Sequence, residues 1–135
     1  MNTLVKSLLI LVSVIAIGSC KRREEPVAKP GDVGGKGGSA VLKITPKHHS
    51  KVIYSATVYI KYNAEDKPSS FDDSARCTKV NGTSIAEFSG LKKGKYYLFG
   101  KGYDSTISNS VVGGVPYTIS EEKGYDVSLS VTEGD

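Results

Sequence analysis

The chain has 135 residues, a net charge of +4 and no tryptophan. That length holds one domain with room for an approach segment, not two cores. So small and evenly mixed a charge argues against a nucleic-acid partner.

Residues 1–19 read as a leader. Lys6 is the only charge before an apolar run from Leu8 to Ile17, which suits the h-region of a signal peptide. A membrane span needs about twenty apolar residues, so the run is too short to cross a bilayer. Small residues Gly18 and Ser19 then precede Cys20. The run Ile17-Gly18-Ser19-Cys20 resembles the bacterial lipobox, with Ile17 in place of the usual Leu. The resemblance implies that Cys20 is the lipid attachment site, becomes the mature N-terminus and carries two or more acyl chains, enough for stable anchoring. The expected location is the bacterial outer membrane, held by the lipid, with the face undetermined. With Lys6 lost with the leader, the mature charge is +3. With Cys20 acylated, Cys77 has no partner for an intrachain disulfide and reads as a buried small apolar residue.

Residues 20–38 read as the lipidated cysteine and a flexible linker. From Lys21 to Gly38 there are two prolines, five glycines and a charged run, with little to bury. A flexible coil of this length has an end-to-end distance of roughly 25 Å, which suits a tether.

Residues 39–135 carry the domain, and there the apolar period is two. Ala40, Leu42 and Ile44 alternate with Val41, Lys43 and Thr45; Ala56, Val58, Ile60 and Tyr62 alternate with Ser55, Thr57, Tyr59 and Lys61. Ala86 with Phe88, Tyr96 with Leu98, and Val127, Leu129 and Val131 repeat the pattern. Further strands are expected over 75–80 and 115–120. Turn signals fall between them, the tightest being Asn81-Gly82, which suits a two-residue type I′ hairpin. The predicted fold is all-β: a single antiparallel β-sandwich of about seven strands.

The run from Asn81 to Asp104 resembles the prealbumin-like domains, among them the carboxypeptidase-regulatory-like and collagen-adhesin B-type modules. The pattern is a glycine turn, the aromatic strand end Phe88, then Gly90-Leu91, a turn closing on Gly94, and Tyr96 with Leu98. The resemblance implies a prealbumin- or immunoglobulin-like sandwich with Leu91 plugging one end. Lipobox, glycine linker and the Val58-to-Tyr62 strand together resemble a small Bacteroidetes-type lipoprotein of unassigned role. One prealbumin-like relative is 5-hydroxyisourate hydrolase, whose family ends in Tyr-Arg-Gly-Ser; this chain ends in Val131-Thr132-Glu133-Gly134-Asp135, and that activity is not implied.

The residues point to no catalytic constellation and to no cofactor. The only histidines, His48 and His49, are adjacent in a loop and are weak candidates for a metal, since a firm site needs a third ligand such as Cys77 or a carboxylate. Carboxylate pairs at Glu65-Asp66, Asp72-Asp73 and Glu121-Glu122 lack the spacing of a calcium loop. Tyr59, Tyr97, Phe99, Tyr103 and Tyr117 fall off the expected core face or near strand ends and are the candidate partner contacts. The expected function is a non-catalytic, lipid-anchored envelope accessory module that binds another envelope protein or a glycan through loops or an edge strand. The alternatives are a metal-binding periplasmic lipoprotein using the His48-His49 loop and a hydrolase with an unrecognised site.

Overall fold

A computed structural model describes residues Gly31–Gly134. The leader, Cys20 and the first part of the linker lie outside the described residues. No described helix is long and apolar enough to cross a membrane.

Among the described residues ten strands run in chain order: β1 (Lys36–His48), β2 (Lys51–Val52), β3 (Ser55–Tyr62), β4 (Asp73–Arg76), β5 (Thr78–Val80), β6 (Thr83–Leu91), β7 (Gly94–Asp104), β8 (Asn109–Ile119), β9 (Gly124–Ser130) and β10 (Thr132–Glu133). They form two five-stranded sheets: β2-β1-β6-β5 with β9 also on β1, and β10-β8-β7-β3-β4. Their apolar faces enclose one core, with Leu42 and Ile44 from the first sheet and Val58, Ile60 and Leu98 from the second, all fully buried. The all-β sandwich expected from the period-two pattern is therefore present.

Strand number and pairing differ from the expectation of about seven antiparallel strands. β2 and β10 are two-residue strands too short to show a period. The single strand expected over 75–80 is two strands, because the chain changes sheets at Cys77. Cys77 N–H donates to Ala56 O of the second sheet, and the next residue, Thr78, pairs with Ile85 of the first. Val131 is the matching crossover: its N–H donates to Lys47 O, and Thr132 pairs with Val112. The β1–β9 pair is parallel, from Val41↔Gly124 to Lys47↔Ser130, while all other pairs are antiparallel. Alternation along a strand reports its buried face, not the direction of its neighbour.

The Asn81-Gly82 turn has both central residues at positive φ, 47° and 77°, and joins β5 to β6 as expected. Leu91 is fully buried, Gly94 turns the chain at φ 151°, and Tyr96 and Leu98 enter the core.

The body begins before Ser39. The Tyr96 phenol donates to Lys92 O (2.6 Å) and accepts from Gly35 N–H (2.8 Å), and Asn63 Oδ1 accepts from Gly34 N–H (2.7 Å). A side chain at Gly38 would run into the Leu91 carbonyl. Glycine here serves close approach as well as flexibility, so the end of the apparent linker is docked on the sandwich.

Candidate functional site

Inward positions on β1 run Ala40, Leu42, Ile44, Pro46 and His48; those on β7 run Tyr96, Leu98, Gly100, Gly102 and Asp104. The same alternation that buries the core thus buries one imidazole and one carboxylate at one end of the sandwich. They meet there. His48 Nδ1 lies 2.8 Å from Asp104 Oδ2, with the residues only 2% and 5% exposed. Asp104 Oδ1 accepts from the Thr106 hydroxyl (2.6 Å) and from Thr106 N–H (2.9 Å). These bonds, the hydroxyl's first and then that of His48, hold the Asp104 carboxyl at about 2. An ionised Asp104 accepts only, so His48 carries its proton on Nδ1, and in the neutral ring Nε2 presents a lone pair.

That Nε2 is buried and has no hydrogen-bond partner among the described residues. The nearest carboxylate oxygen is Glu133 Oε1, 3.6 Å away on β10. The Glu133 carboxyl is held below its usual range, first by a hydrogen bond from its own backbone N–H and further by the charge of the two imidazoles in their protonated forms. His49 stands edge-on to His48 at 4.2 Å between ring centroids. It occupies, with Ser50, a two-residue turn between β1 and β2 in which both have positive φ, 47° and 66°. Ligand atoms of His48, His49 and Glu133 all lie within 4.8 Å of one another. The sequence named both histidines. The third group is Glu133 and not Cys77, whose side chain is buried in the core with its thiol pushed up by burial.

A depressed carboxyl makes a stability claim with a definite sign. The stability Asp104 contributes is fully present above about pH 4 and is lost as pH falls through about 2. In metal-free buffer, the advantage of the wild type over Asp104→Asn in urea midpoint is expected to shrink across that interval. A gap that stays constant with pH would show that the bonds from Thr106 and His48 do not hold the Asp104 carboxyl below its ordinary range.

A cleft of about 480 Å³ adjoins the same corner. It runs between Lys51–Ser55 on one side and Tyr103–Thr106 on the other, with Asp104 in its wall. Tyr54 and Tyr103 are half-exposed there, at 50% and 47%. The Tyr54 hydroxyl donates to Gly82 O (2.7 Å), which fixes the ring.

The expected aromatic contacts fall into three places. Tyr59, Tyr97 and Phe99 share the outer face of the second sheet, as Tyr59↔Phe99 and Lys61↔Tyr97 register shows. Phe71, from the loop between β3 and β4, stacks on Phe99 at 5.7 Å and reaches Tyr59 at 5.4 Å. Lys67 Nζ lies 4.6 Å over the Phe99 ring. Those rings form a satellite cluster beneath a long loop, largely occupied with one another. Tyr103 lies further along the same strand face, at the cleft. Tyr117 pairs with inward-facing Tyr96 and packs against the core edge beside Tyr125, 5.9 Å away.

The carboxylate pairs serve the body. Asp72 Oδ2 accepts from Tyr62 N–H, Glu65 pairs with Lys95, Glu121 with Lys123, and Glu122 accepts from Ser39 N–H.

Asp104, Thr106, Glu133 and Tyr54 were not singled out from the sequence. For Asp104 a signal existed: it is in phase with Tyr96 and Leu98, as His48 is with Ile44. Pro46 reads as a turn signal and cuts the first pattern short, and the second was followed no further than Gly100. For Glu133 there was none, because a two-residue strand carries no period.

No protein-family model matches the chain, and no curated protein or solved structure is similar to it at a significant level.

Proposed function

We propose that the chain is a lipid-anchored, non-catalytic module of the bacterial outer membrane that holds a glycan in the cleft between Tyr54 and Tyr103. The anchor reading is supported by Cys20 directly after an apolar leader and small residues. A prealbumin-like relation is supported by the buried Leu91 closing β6, the Gly94 turn, and Tyr96 and Leu98 in the core. Membership among the small Bacteroidetes-type lipoproteins rests on the lipobox and linker.

The cleft carries the binding reading. It pairs two half-exposed tyrosine rings with hydroxyls from Ser55, Ser105 and Thr106 over the apolar Val52 and Ile53. Sugars present apolar ring faces and hydroxyl edges, and a tyrosine-lined, hydroxyl-bearing cleft complements both. The Tyr54 ring is held in place before a ligand arrives, which lowers the ordering cost of binding.

A glycan array probed with the full-length protein tests this. Binding of at least one glycan is expected, and Tyr103→Ala is expected to weaken it about tenfold, the 1.4 kcal/mol scale of one aromatic contact. Tyr97→Ala, on the outer face away from the cleft, is expected to leave it unchanged. An array with no bound glycan, or affinity that Tyr103→Ala leaves intact, would overturn the reading; an envelope-protein partner would then be the surviving form of the module.

A further inference from the structure

We propose that His48, His49 and Glu133 form a binding site for a divalent transition ion of the zinc type, with Asp104 as the residue that orients His48. The site is separate from the glycan cleft, lying on the opposite edge of the imidazole, and does not depend on that reading.

The starting observation is the orphaned nitrogen. A buried polar atom without a partner is rare and calls for an explanation. Among the described residues His48 Nε2 is such an atom, on a side chain only 3% exposed. Glu133 Oε1, at 3.6 Å, is too far to accept a hydrogen bond from it. That spacing suits an ion between them. Zinc bonds to nitrogen and oxygen of about 2.0–2.2 Å, arranged tetrahedrally, place neighbouring ligand atoms about 3.4 Å apart.

The other edge of the ring is prepared in the way metal-bound histidines are. Nδ1 is held by a buried carboxylate at 2.8 Å, which fixes the tautomer, leaves Nε2 free to coordinate and raises its basicity. Asp104 is in turn held by two bonds from Thr106. Glu133 and His49 are exposed and reach the same point, their ligand atoms lying within 4.8 Å of each other and of Nε2. Rotation of these two exposed side chains closes the remaining distance. Two carboxylates, Asp104 and Glu133, offset the charge of the cation. Lys47 is out of phase with His48 on β1 and sits on the opposite face of the strand. Three protein ligands leave a fourth position for water.

The ligands come from different sheets. His48 and His49 stand at the end of β1 in the first; Glu133 is on β10 in the second. An ion here ties the two sheets and binds the folded state alone, so it raises stability by linkage.

The competing account is a protonated His48 shared by Asp104 and Glu133, which needs no ion. Titration of the chelator-stripped full chain, made without a polyhistidine tag, separates the two. Cobalt(II) is expected to bind at one equivalent with the visible absorption of a low-coordinate nitrogen and oxygen site. Zinc at a hundred times its dissociation constant is expected to raise the Tm by about 10 °C. His49→Asn, which keeps a residue tolerant of positive φ, and Glu133→Gln are each expected to weaken zinc tenfold or more. Asp104→Asn is expected to weaken it 10–100-fold. No cobalt absorption and no Tm shift in the wild type would overturn the site. So would zinc affinity that His49→Asn and Glu133→Gln both leave at the wild-type value. Because these two side chains are exposed, loss of folding does not mask their result, as it would for His48→Ala.

Discussion

Leu98→Ala is expected to destabilise the sandwich by about 2–5 kcal/mol. Leu98 is fully buried at the middle of β7, with Ile60 of β3 and Val115 of β8 as its cross-strand partners. The cost has a transfer component and a cavity component, and the cavity has little means of closing. The next inward position, Gly100, has no side chain to move into the void, and Leu129 and Val131 already fill the space above it. A domain of this size has a total stability of about 5–15 kcal/mol, so the loss takes a large share of it. The denaturant midpoint measures it, with an unchanged m-value confirming that the native state is intact. A shift near zero would mean that the two sheets do not close over this position.

Cys20→Ser is expected to abolish lipid incorporation and to move the protein from the membrane fraction to an unprocessed precursor or a soluble domain. On the lipoprotein reading the Cys20 sulfur is the atom to which the lipid would attach, and a serine hydroxyl does not replace it. Each buried methylene contributes about 0.8 kcal/mol to membrane binding, so removing whole acyl chains removes essentially all of the affinity. Cys77→Ser is expected to leave acylation unchanged, because Cys77 is buried at a sheet crossover. Labelled fatty-acid incorporation and intact mass of the two variants check this. Label retained by Cys20→Ser would refute the anchor and, with it, the outer-membrane location.

The metal and glycan readings share one corner but fail independently. Tyr103 stands in the cleft wall and is not in the ligand cluster, while Glu133 belongs to that cluster and does not line the cleft. Asp104 touches both, as a wall of one and as the support of His48 in the other.

Alternation was enough to identify the inward faces. Leu42, Ile44, Val58, Ile60 and Leu98 were all legible as core and are all fully buried. Asn81-Gly82 was legible as a hairpin because few residue pairs accept two successive positive φ values. His49-Ser50 makes the same kind of turn without the residues that announce it, so it read as a loop. The aromatic strip was legible as off-core. That Phe71 would fold back over it was not, since the loop from Asn63 to Asp72 has no period to read.

By itself, then, the sequence determined that the described body is one-core and all-β, with a hairpin at Asn81-Gly82 and Leu98 inside. Those properties follow from local alternation and local φ preference, which every strand states for itself. Only the tertiary structure decided that β9 runs parallel to β1, that the chain changes sheets at Cys77 and Val131, and that His48, Asp104 and Glu133 converge. Convergence depends on pairing and register between segments more than fifty residues apart, and no short window of residues contains both ends of such a contact.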